Sequence, residues 1–274
     1  MNTTTKTRVA AVQMVSGPVV ADNLQEAGHW IAEAARQGAQ LVALPEYFPL
    51  ISGDEADKLG IREEEGNGPI QLFLPDCARR HGIWLIGGSV PLVADDANKV
   101  RNTCLAYGPD GSQLARYDKI HLFAFTRGSE RYDEARTIEA GCEPVAIDTP
   151  FGRVGLSICY DLRFPELYRQ LSAAGAEVIV APSAFTYTTG TAHWHILTRA
   201  RAIENLATVI APNQAGHHAS GRRTYGHSLI CDSWGQITSE ARSDANEIVI
   251  ADIDRGRAAR IREGFPCLSH RRLG

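Results

Sequence analysis

A short sequence pattern that occurs twice constrains the fold of this 274-residue chain more than any other feature. Gly38–Pro45 (GAQLVALP) and Gly175–Pro182 (GAEVIVAP) share the pattern, and each copy joins a helical stretch to a short apolar strand. Each copy also follows a strand that begins with Arg-Val, at Arg8 and at Arg153. Any two β-α-β units resemble each other to this extent, but we favour a duplicated unit that builds two sheets related by pseudo-symmetry. Strands that alternate with helices predict a layered α/β fold.

The spacing of apolar residues predicts most elements along the chain. Strands are expected at Val9–Met14, Leu41–Leu44, Ile83–Val90, Val154–Ile158, Thr208–Asn213, Tyr225–Cys231 and Glu247–Ile253, and a hairpin at Arg101–Tyr107 with Ser112–Tyr117. Helices are expected at Asn23–Gln37, Ile70–His81 and His193–Asn205. By contrast, Lys119–Glu143 is rich in charge, and we expect a long irregular loop that acts as a lid.

Composition narrows the class of protein. Hydrophobic residues make up 44% of the chain, enough for a sizeable core, and the formal net charge is only -4. This weakly acidic balance offers no general attraction for nucleic acid or an anionic membrane, and no apolar run approaches the length of a membrane span. The polar segment Met1–Lys6 lacks the apolar core of a signal peptide. We therefore expect one domain over residues 1–274, in the cytoplasm.

One of the six cysteines lies where a nucleophile is expected. Within Arg153–Tyr168 (RVGLSICYDLRFPELY), Cys159 follows the predicted strand Val154–Ile158 and precedes a helix whose first position is Pro165. Backbone N–H groups and the positive end of that helix are expected to lower the pKa of the thiol. The alternative is a buried structural cysteine, the commoner fate of a cysteine in a strand. No two cysteines form a Cys-x-x-Cys pair, which argues against a metal knuckle or a redox dithiol.

Two further polar residues occupy similar positions in the predicted topology. Glu46 follows a strand directly after Leu-Pro, and Lys119 follows the predicted hairpin. Ligands collect beyond the carboxyl ends of strands in open α/β sheets, so these two side chains and Cys159 form a candidate acyl-transfer site. The alternative for Glu46 and Lys119 is an ordinary ion pair at a sheet edge.

The sequence around these three residues resembles the nitrilase superfamily of carbon–nitrogen hydrolases. Its signatures are Leu44–Glu46 (LPE), Tyr117–Leu122 (YDKIHL) and Cys159–Glu166 (CYDLRFPE). The resemblance covers nearly the whole chain. It implies a Glu-Lys-Cys triad, a four-layer α-β-β-α sandwich, and a homodimer or a larger homo-oligomer.

Segments in the second half are most similar to one branch of that superfamily, the amidases that hydrolyse deaminated glutathione. These segments are Pro182–Phe185, Ala192–Trp194, Arg199–Glu204, Tyr225–Ser228 and His270–Arg272. An ω-amidase acting on α-ketoglutaramate or α-ketosuccinamate stays an alternative, because that branch shares much of the same sequence, and so does an N-carbamoyl amino acid hydrolase. A true nitrilase is disfavoured because superfamily membership does not imply nitrile chemistry. The non-enzymatic alternative is a catalytically silent scaffold, and the intact triad argues against it.

The resemblance assigns a role to each candidate residue. Cys159 attacks the amide carbon as a thiolate, giving a tetrahedral oxyanion and then a thioester, with release of ammonia. Glu46 takes the thiol proton, gives it to the leaving group and later activates water, which a raised pKa in a partly dry pocket permits. Lys119 and the backbone N–H of Tyr160 stabilise the oxyanion.

An acidic residue in the loop after the lysine is expected to orient the lysine and the attacking water. Glu134 best fits that position relative to Gly141, and Glu130 and Asp133 are close rivals. Because this loop departs from the commoner family sequence, the three residues stay open at this stage.

Three residues are candidates for binding the substrate. Arg163 lies four residues after the nucleophile, where an arginine can clasp a carboxylate in a bidentate manner, unless it pairs with Asp161 or Glu166. The resemblance places Phe185 and Thr189 in the pocket, against the acyl chain and carboxylate of the substrate. Their alternatives are core packing and a flexible loop, respectively. The substrate class is then a small amide that carries a carboxylate.

The remaining polar groups are not expected to take part in the chemistry. No histidine has an obvious orienting partner and no metal-ligand spacing occurs, so we predict no metal and no cofactor. The histidines considered are His121, His193, His195, His217, His218 and His227. The arginine-rich tail, about residues 255–274, lacks the interleaved aromatic residues of nucleic-acid-binding segments. We expect this tail to cross to a partner subunit.

Overall fold

The computed structural model describes residues 6–128 and 130–273. Most of Met1–Lys6, the segment predicted to lack the apolar core of a signal peptide, lies outside the described residues. The strands are β1 (Lys6–Gln13), β2 (Leu41–Ala43), β3 (Trp84–Ile86), β4 (Val90–Val93), β5 (Val100–Tyr107), β6 (Gln113–Asp118), β7 (Ala124–Arg127), β8 (Glu130–Asp133), β9 (Ala146–Thr149), β10 (Gly152–Leu156), β11 (Val178–Val180), β12 (Thr208–Ala211), β13 (Ala215–His217), β14 (Arg223–Tyr225), β15 (Leu229–Cys231), β16 (Ile237–Glu240) and β17 (Glu247–Asp254). The helices are α1 (Val20–Arg36), α2 (Asp57–Gly60), α3 (Pro69–His81), α4 (Pro165–Ala173), α5 (Tyr187–Asn205) and α6 (Arg255–Gly264). Short 3₁₀ helices lie at Glu134–Arg136, Cys159–Arg163 and Cys267–His270.

The two large sheets have equivalent strand orders. The first runs β17-β1-β2-β3-β5-β4, with β6 also paired to β5, and the second, read from its far edge, runs β9-β10-β11-β12-β15-β16. In both sheets three central parallel strands are flanked by antiparallel neighbours. The crossovers are α1 and α3 in the first sheet and α4 and α5 in the second. The predicted duplication is therefore confirmed at the level of strand order.

The two sheets face each other, and the helices cover their outer faces. Val9 and Ala11 of β1 share one buried apolar cluster with Val154 and Leu156 of β10. Ala10, which points to the opposite face of β1, belongs to a second cluster with buried residues of α1 and α3. Parallel strands buried on both faces need apolar side chains at every position, which explains the continuous apolar runs in the sequence. The order of layers is helix, sheet, sheet, helix, and the expected α-β-β-α sandwich is confirmed.

The third predicted strand is interrupted at a point that matters for the candidate site. Ile83–Val90 was expected to be one strand, but β3 ends at Ile86 and β4 begins at Val90. At Gly88 the backbone has φ +60, and a Cβ atom there would lie 2.2 Å from the carbonyl oxygen of Pro45. Only glycine fits this close approach, which holds the backbone next to the end of β2.

Two segments predicted to be irregular are ordered. Within Lys119–Glu143, β7 and β8 form an antiparallel hairpin followed by a short 3₁₀ helix. Helix α5 begins at Tyr187, six residues before the predicted start, because the Thr186 side chain accepts a hydrogen bond from the Thr189 N–H and caps the helix. Thr189 therefore lies in the first turn of a helix, and the alternative of a flexible loop at this position is excluded.

The C-terminal part of the described chain supplies an edge strand of the first sheet. β17 pairs with β1 from Lys6 to Gln13, and the chain then turns into α6. Arg262 of α6 donates a hydrogen bond to the carbonyl oxygen of Leu206 at 3.0 Å. Across the described residues, no helix combines the length and the apolar character needed to cross a membrane.

Candidate active site

A buried lysine links two buried carboxylates. The Lys119 ammonium lies 2.8 Å from Oε1 of Glu46, and 2.9 and 2.8 Å from the two carboxylate oxygens of Glu134. Lys119 and Glu46 are each 1% exposed, and Glu134 is 6% exposed. Two negative charges and one positive charge in so dry a place require close hydrogen bonding, because an unpaired buried charge is very costly. Of the three candidate acids, Glu134 is the one that contacts Lys119, whereas Glu130 accepts a hydrogen bond from Thr188 and Asp133 is exposed.

Different elements bring these groups to one place. Glu46 follows β2 of the first sheet, and Lys119 follows β6, with its N–H donating to the Asn102 carbonyl at 2.9 Å. Cys159 follows β10 of the second sheet and lines the same pocket as Glu46 and Glu134. Because the two sheets pack face to face, the ends of strands from both sheets meet at a single cleft.

The backbone at Cys159 has an unusual conformation. Its φ is +48, a value that non-glycine residues rarely adopt, and its N–H donates to the Pro182 carbonyl at 2.9 Å. Strained positions of this kind persist only where the surrounding structure holds them, and they cluster at functional sites. Cys159 is 8% exposed and is part of the wall of the pocket that Glu46 and Glu134 also line.

Asp161 holds this turn against the lysine segment. The Asp161 carboxylate is fully buried and accepts hydrogen bonds from the Ile158 N–H at 2.8 Å and the Tyr117 hydroxyl at 2.6 Å. It also accepts from the His121 N–H at 3.1 Å and contacts Nδ1 of the same residue at 2.7 Å. One carboxylate therefore fixes the segment before Cys159 and the segments on both sides of Lys119. From the sequence alone, Arg163 is the partner expected for Asp161, and the contacts with Tyr117, Ile158 and His121 are not predicted.

Burial and charge set the protonation states of the cluster. Burial raises the pKa of Glu46, and the positive charge of Lys119 offsets only part of this effect. Burial alone would lower the pKa of Lys119 and raise that of Glu134, but their mutual attraction outweighs it, so the pKa of Lys119 is raised and that of Glu134 is lowered. Burial and the negative charge of Glu46 raise the pKa of Cys159 well above its usual range. The expectation of a lowered thiol pKa is wrong, because desolvation and a neighbouring carboxylate outweigh the local N–H groups and Lys119.

Sequence reasoning missed two side chains that bind the carboxylates. The Asn102 side-chain amide donates to Oε1 of Glu46 at 3.0 Å, and the Tyr47 hydroxyl donates to Oε1 of Glu134 at 2.7 Å. The Phe123 backbone N–H donates to Oε2 of Glu134 at 2.7 Å. Adjacency to Glu46 was a signal for Tyr47, but no local pattern distinguishes Asn102 from other asparagines.

The three predicted substrate-binding residues line the pocket together. Arg163, Phe185 and Thr189 all lie in its wall. The guanidinium of Arg163 lies 5.6 Å from the centres of the Tyr160 and Phe185 rings, and its Nη1 is 3.2 Å from Nδ1 of His193. It is therefore not an ion-pair partner of Asp161. A further arginine in the wall, Arg222, was not identified from the sequence.

The statement that no histidine has an orienting partner is wrong. His121 contacts Asp161, while His195 Nε2 and His227 Nδ1 each lie 2.7 Å from the same carboxylate oxygen of Glu240. The ligand atoms of these last three residues lie within 4.8 Å of one another, and all three side chains are half-buried. They come from α5, β16 and the segment before β15, which no sequence spacing connects. In this structure they form a hydrogen-bonded network, and the absence of a metal stays a prediction.

Comparisons with known proteins agree with this geometry. A family model described as carbon-nitrogen hydrolase matches residues 8–263. The chain is 44% identical over 266 residues to a deaminated glutathione amidase of Synechocystis sp., a match that covers 96% of this chain and 97% of the relative. It is 38% identical over 275 residues to the omega-amidase NIT2 of Mus musculus, covering 97% of this chain and 95% of the relative.

A solved structure supports the same assignment. The crystal structure of Saccharomyces cerevisiae Nit3, a member of branch 10 of the nitrilase superfamily, is similar with a TM-score of 0.88 and 33% sequence identity. The match covers 98% of this chain and 97% of that chain. The resemblance read from the three signatures is confirmed, as is the expected hydrolysis of carbon–nitrogen bonds other than peptide bonds. The chain belongs to the carbon-nitrogen hydrolase family of the nitrilase superfamily.

Proposed function

We propose that this protein is a cysteine-dependent amidase that hydrolyses a small amide bearing a carboxylate, with deaminated glutathione as the best candidate substrate. The observation that carries the proposal is the buried Glu46–Lys119–Glu134 cluster, which shares a pocket with Cys159. An ordinary surface ion pair would not be fully buried beside a strained cysteine. The relative named deaminated glutathione amidase supports the choice of substrate.

The first half-reaction forms a thioester. Because the pKa values of Cys159 and Glu46 are both raised, the thiol is protonated at rest and a nearby carboxylate can accept its proton. As the proton moves to Glu46, the sulfur attacks the amide carbon and the C=O electron pair becomes an oxyanion. The ammonium of Lys119 and the backbone N–H of Tyr160 stabilise that charge, and one such donor typically contributes about 3 kcal/mol.

Collapse of the tetrahedral intermediate breaks the carbon–nitrogen bond. Glu46 returns the proton to the leaving nitrogen, which departs as ammonia from a primary amide and as an amine from a substituted amide. Glu46 then takes a proton from water, which attacks the thioester and releases the carboxylic acid and the thiol of Cys159. Glu134 acts as a positioning residue, since it holds Lys119 through two hydrogen bonds.

The acyl portion of the substrate is assigned to the side of the pocket formed by Arg163, Phe185 and Thr189. The guanidinium pairs with the substrate carboxylate, and the ring packs against the acyl chain. An ω-amidase acting on α-ketoglutaramate or α-ketosuccinamate is the second candidate, because relatives of that name are 38–39% identical to this chain. An N-carbamoyl amino acid hydrolase is a further alternative, and a silent scaffold is disfavoured by the intact cluster.

A kinetic panel tests the assignment. Purified protein is assayed with deaminated glutathione, α-ketoglutaramate and an N-carbamoyl amino acid, and release of amine or ammonia is measured with and without Cys159→Ala. We expect the highest kcat/KM for deaminated glutathione, no turnover by the variant, and an acyl adduct on the Cys159 peptide in mass spectra of trapped enzyme. A higher kcat/KM for α-ketoglutaramate by orders of magnitude would move the protein to the ω-amidase branch. Activity that survives Cys159→Ala would exclude the thioester mechanism.

We further infer the domain organisation, the cellular location and the oligomeric state of this enzyme. We propose a single domain over residues 1–274, a cytoplasmic location, and a homodimer or larger homo-oligomer whose interface includes the tail from about residue 255. Helix α6 exposes most of its side chains, which leaves a face for a partner. Size-exclusion chromatography with light scattering, with and without the tail, tests the assembly: a monomeric full-length protein would contradict it.

A further inference from the structure

Arg222, in the pocket wall, has a buried guanidinium nitrogen for which the described residues provide no acceptor. Arg222 lies at the end of the loop between β13 and β14, and its Nη2 donates to the Ala184 carbonyl at 2.9 Å. Its guanidinium carbon lies 5.4 Å from the centre of the Tyr132 ring. Its Nε is buried, and no acceptor for it is found among residues 6–128 and 130–273. A buried donor without an acceptor costs free energy, so the protein does not use the full hydrogen-bonding capacity of this guanidinium.

The loop that carries Arg222 is held firmly. His218 is buried, its Nδ1 lies 2.8 Å from the Ser16 carbonyl, and its Nε2 lies 2.7 Å from the Thr224 hydroxyl. The His218 N–H also donates to the Arg222 carbonyl at 2.9 Å. The arginine is therefore presented by a fixed backbone, as a binding site requires.

Arg222 lines two cavities. It lines the pocket that contains Cys159, whose free volume is only about 10 Å³, and it also lines a neighbouring cavity of about 210 Å³. Arg163, the arginine assigned to the acyl carboxylate, lines only the first. Pockets for whole small molecules usually measure about 300–1,000 Å³, so the neighbouring cavity suits one portion of a ligand that extends from the thiol.

The wall of the neighbouring cavity carries more positive than negative charge. Its cations are Lys58, Arg131 and Arg222, and its acids are Asp54 and Glu55. Glu55 and Lys58 are paired at 2.9 Å, which leaves Arg131 and Arg222 against Asp54, and Asp54 accepts a hydrogen bond from a neighbouring backbone N–H at 2.8 Å. An anionic group is therefore better matched to this cavity than a cationic one.

Resting on the proposed amidase function, we propose that Arg222 and the neighbouring cavity form a leaving-group subsite that binds the carboxylate of a substituted amide's amine portion. The acyl group then lies toward Arg163, the scissile bond at Cys159, and the departing amino acid or short peptide toward Arg222. A primary amide, which loses ammonia, leaves this subsite empty. The subsite therefore selects amides of amino acids or short peptides with a free C-terminal carboxylate over primary amides.

Three substrates with one acyl group test the subsite. They are the α-ketoglutaryl primary amide, the corresponding amide of glycylglycine, and the same amide with its C-terminal carboxylate converted to a carboxamide. For the wild-type enzyme we expect the free-carboxylate substrate to have a higher kcat/KM than its carboxamide analogue. Arg222→Gln should lower kcat/KM for the free-carboxylate substrate by about 10- to 100-fold, the effect of losing a charge-assisted hydrogen bond, and abolish this preference. The primary amide, which has no leaving-group carboxylate, should lose at least about tenfold less kcat/KM than the free-carboxylate substrate does.

Two further variants serve as controls. Arg222→Lys keeps the charge and should retain part of the preference for a free carboxylate. Arg223→Gln removes the adjacent arginine, which contacts Asp244 at 3.4 Å and the Tyr187 ring and lines neither cavity. It should leave the order of the three substrates unchanged.

The outcomes separate this inference from the proposed function. If Arg222→Gln lowers kcat/KM of all three substrates equally, or of none, Arg222 does not read the leaving group and the inference is wrong. If the wild-type enzyme hydrolyses no amide, the proposed function fails. Calorimetric titration of Cys159→Ala with the free-carboxylate and carboxamide ligands then still measures whether the subsite binds a carboxylate. Tighter binding of the carboxylate, lost in Cys159→Ala/Arg222→Gln, supports the subsite; equal binding of the two ligands overturns it.

Discussion

The two β-α-β units have the same topology, but their candidate reactive groups follow different strands. In the first unit the group follows the second strand, and in the second unit it follows the first strand. When the units are aligned on their Arg-Val and Ala/Leu-Pro positions, Cys159 after β10 corresponds to Met14 after β1, and Glu46 after β2 corresponds to Ser183 after β11. Each unit therefore supplies one candidate reactive group and one unreactive residue. Both Met14 and Ser183 are buried.

The two strand ends without a reactive group each accept a backbone hydrogen bond from the segment Gln214–Ala215, and no charged group takes part in these bonds. The Met14 carbonyl accepts from the Ala215 N–H at 2.8 Å, and the Ser183 carbonyl accepts from the Gln214 N–H at 3.0 Å. At the reactive ends, by contrast, Glu46 is bonded to a buried ammonium. The comparison teaches that the duplicated backbone brings four strand ends together, while side-chain identity decides which of them carry charge. Lys119 and Glu134, which complete the cluster, lie outside the two β-α-β units.

The largest expected effect is a loss of kcat at Cys159, after β10, and the equivalent position after β1, Met14, serves as its control. Cys159→Ala should lower kcat by about 10⁴-fold or more, because the nucleophile is lost. Met14→Leu, a substitution of similar volume at the equivalent position, should cost less than about 1.5 kcal/mol of unfolding free energy and leave kcat nearly unchanged. Steady-state kinetics and urea unfolding measure both. A large loss of kcat in Met14→Leu at unchanged stability would break the contrast between the two ends.

The next effect concerns the charged cluster. Lys119→Met leaves the carboxylates of Glu46 and Glu134 buried without their cation, so kcat/KM should fall by about 10³-fold and the unfolding free energy by about 3–5 kcal/mol. Lys119→Met/Glu134→Gln removes one of the two negative charges and should recover much of the stability but none of the activity. Kinetics and urea unfolding of both variants test this. A double variant as unstable as the single one would contradict the charge argument.

The pH profile tests the environment of Glu46 alone. Glu46 must be deprotonated to accept the thiol proton, and its pKa is raised mainly by burial, so the acid limb of kcat/KM should lie above the usual pKa of a glutamate. Asn102→Leu removes a donor that stabilises the charged carboxylate and should move this limb upward by about one pH unit, with about a tenfold loss on the acid side. Asn98→Leu, at an exposed asparagine, is the matched control. An unshifted limb in Asn102→Leu would mean that another group controls the profile.

The last effect concerns stability and not activity, and it comes from a neutral histidine near the unreactive strand end of β1. Burial lowers the pKa of His218 to about 4, whereas the unfolded chain has the ordinary value near 6.5. A lowered pKa in the folded state means stability that is complete above about pH 6.5 and is lost as the pH falls toward 4, at most about 3 kcal/mol. The unfolding free energy of the wild type should therefore fall more steeply over this range than that of His218→Asn. Parallel pH dependences would show that His218 is not buried neutral.

The sequence predicted much of the architecture because local patterns decide which backbone elements form. The apolar runs and the turn at Gly108–Gly111 predicted β1, β2 and the β5–β6 hairpin, and the repeated pattern predicted two equivalent sheets. The errors in element bounds lie where a single residue overrides the pattern. Thr186 starts α5 earlier by capping it, and Gly88 ends a strand by its close approach to Pro45.

Amino-acid order alone was enough to predict the family and the sandwich. It also made Glu46, Lys119 and Cys159 candidate catalytic residues, because each of these residues stands in a short signature at the end of an element. Tertiary structure alone decided which acid holds the lysine, that burial raises the thiol pKa, and that Arg222 lines two cavities. The physical reason is that proximity, desolvation and unmet hydrogen bonds are properties of groups brought together from distant parts of the chain. No local pattern encodes them, because each depends on how the two sheets pack.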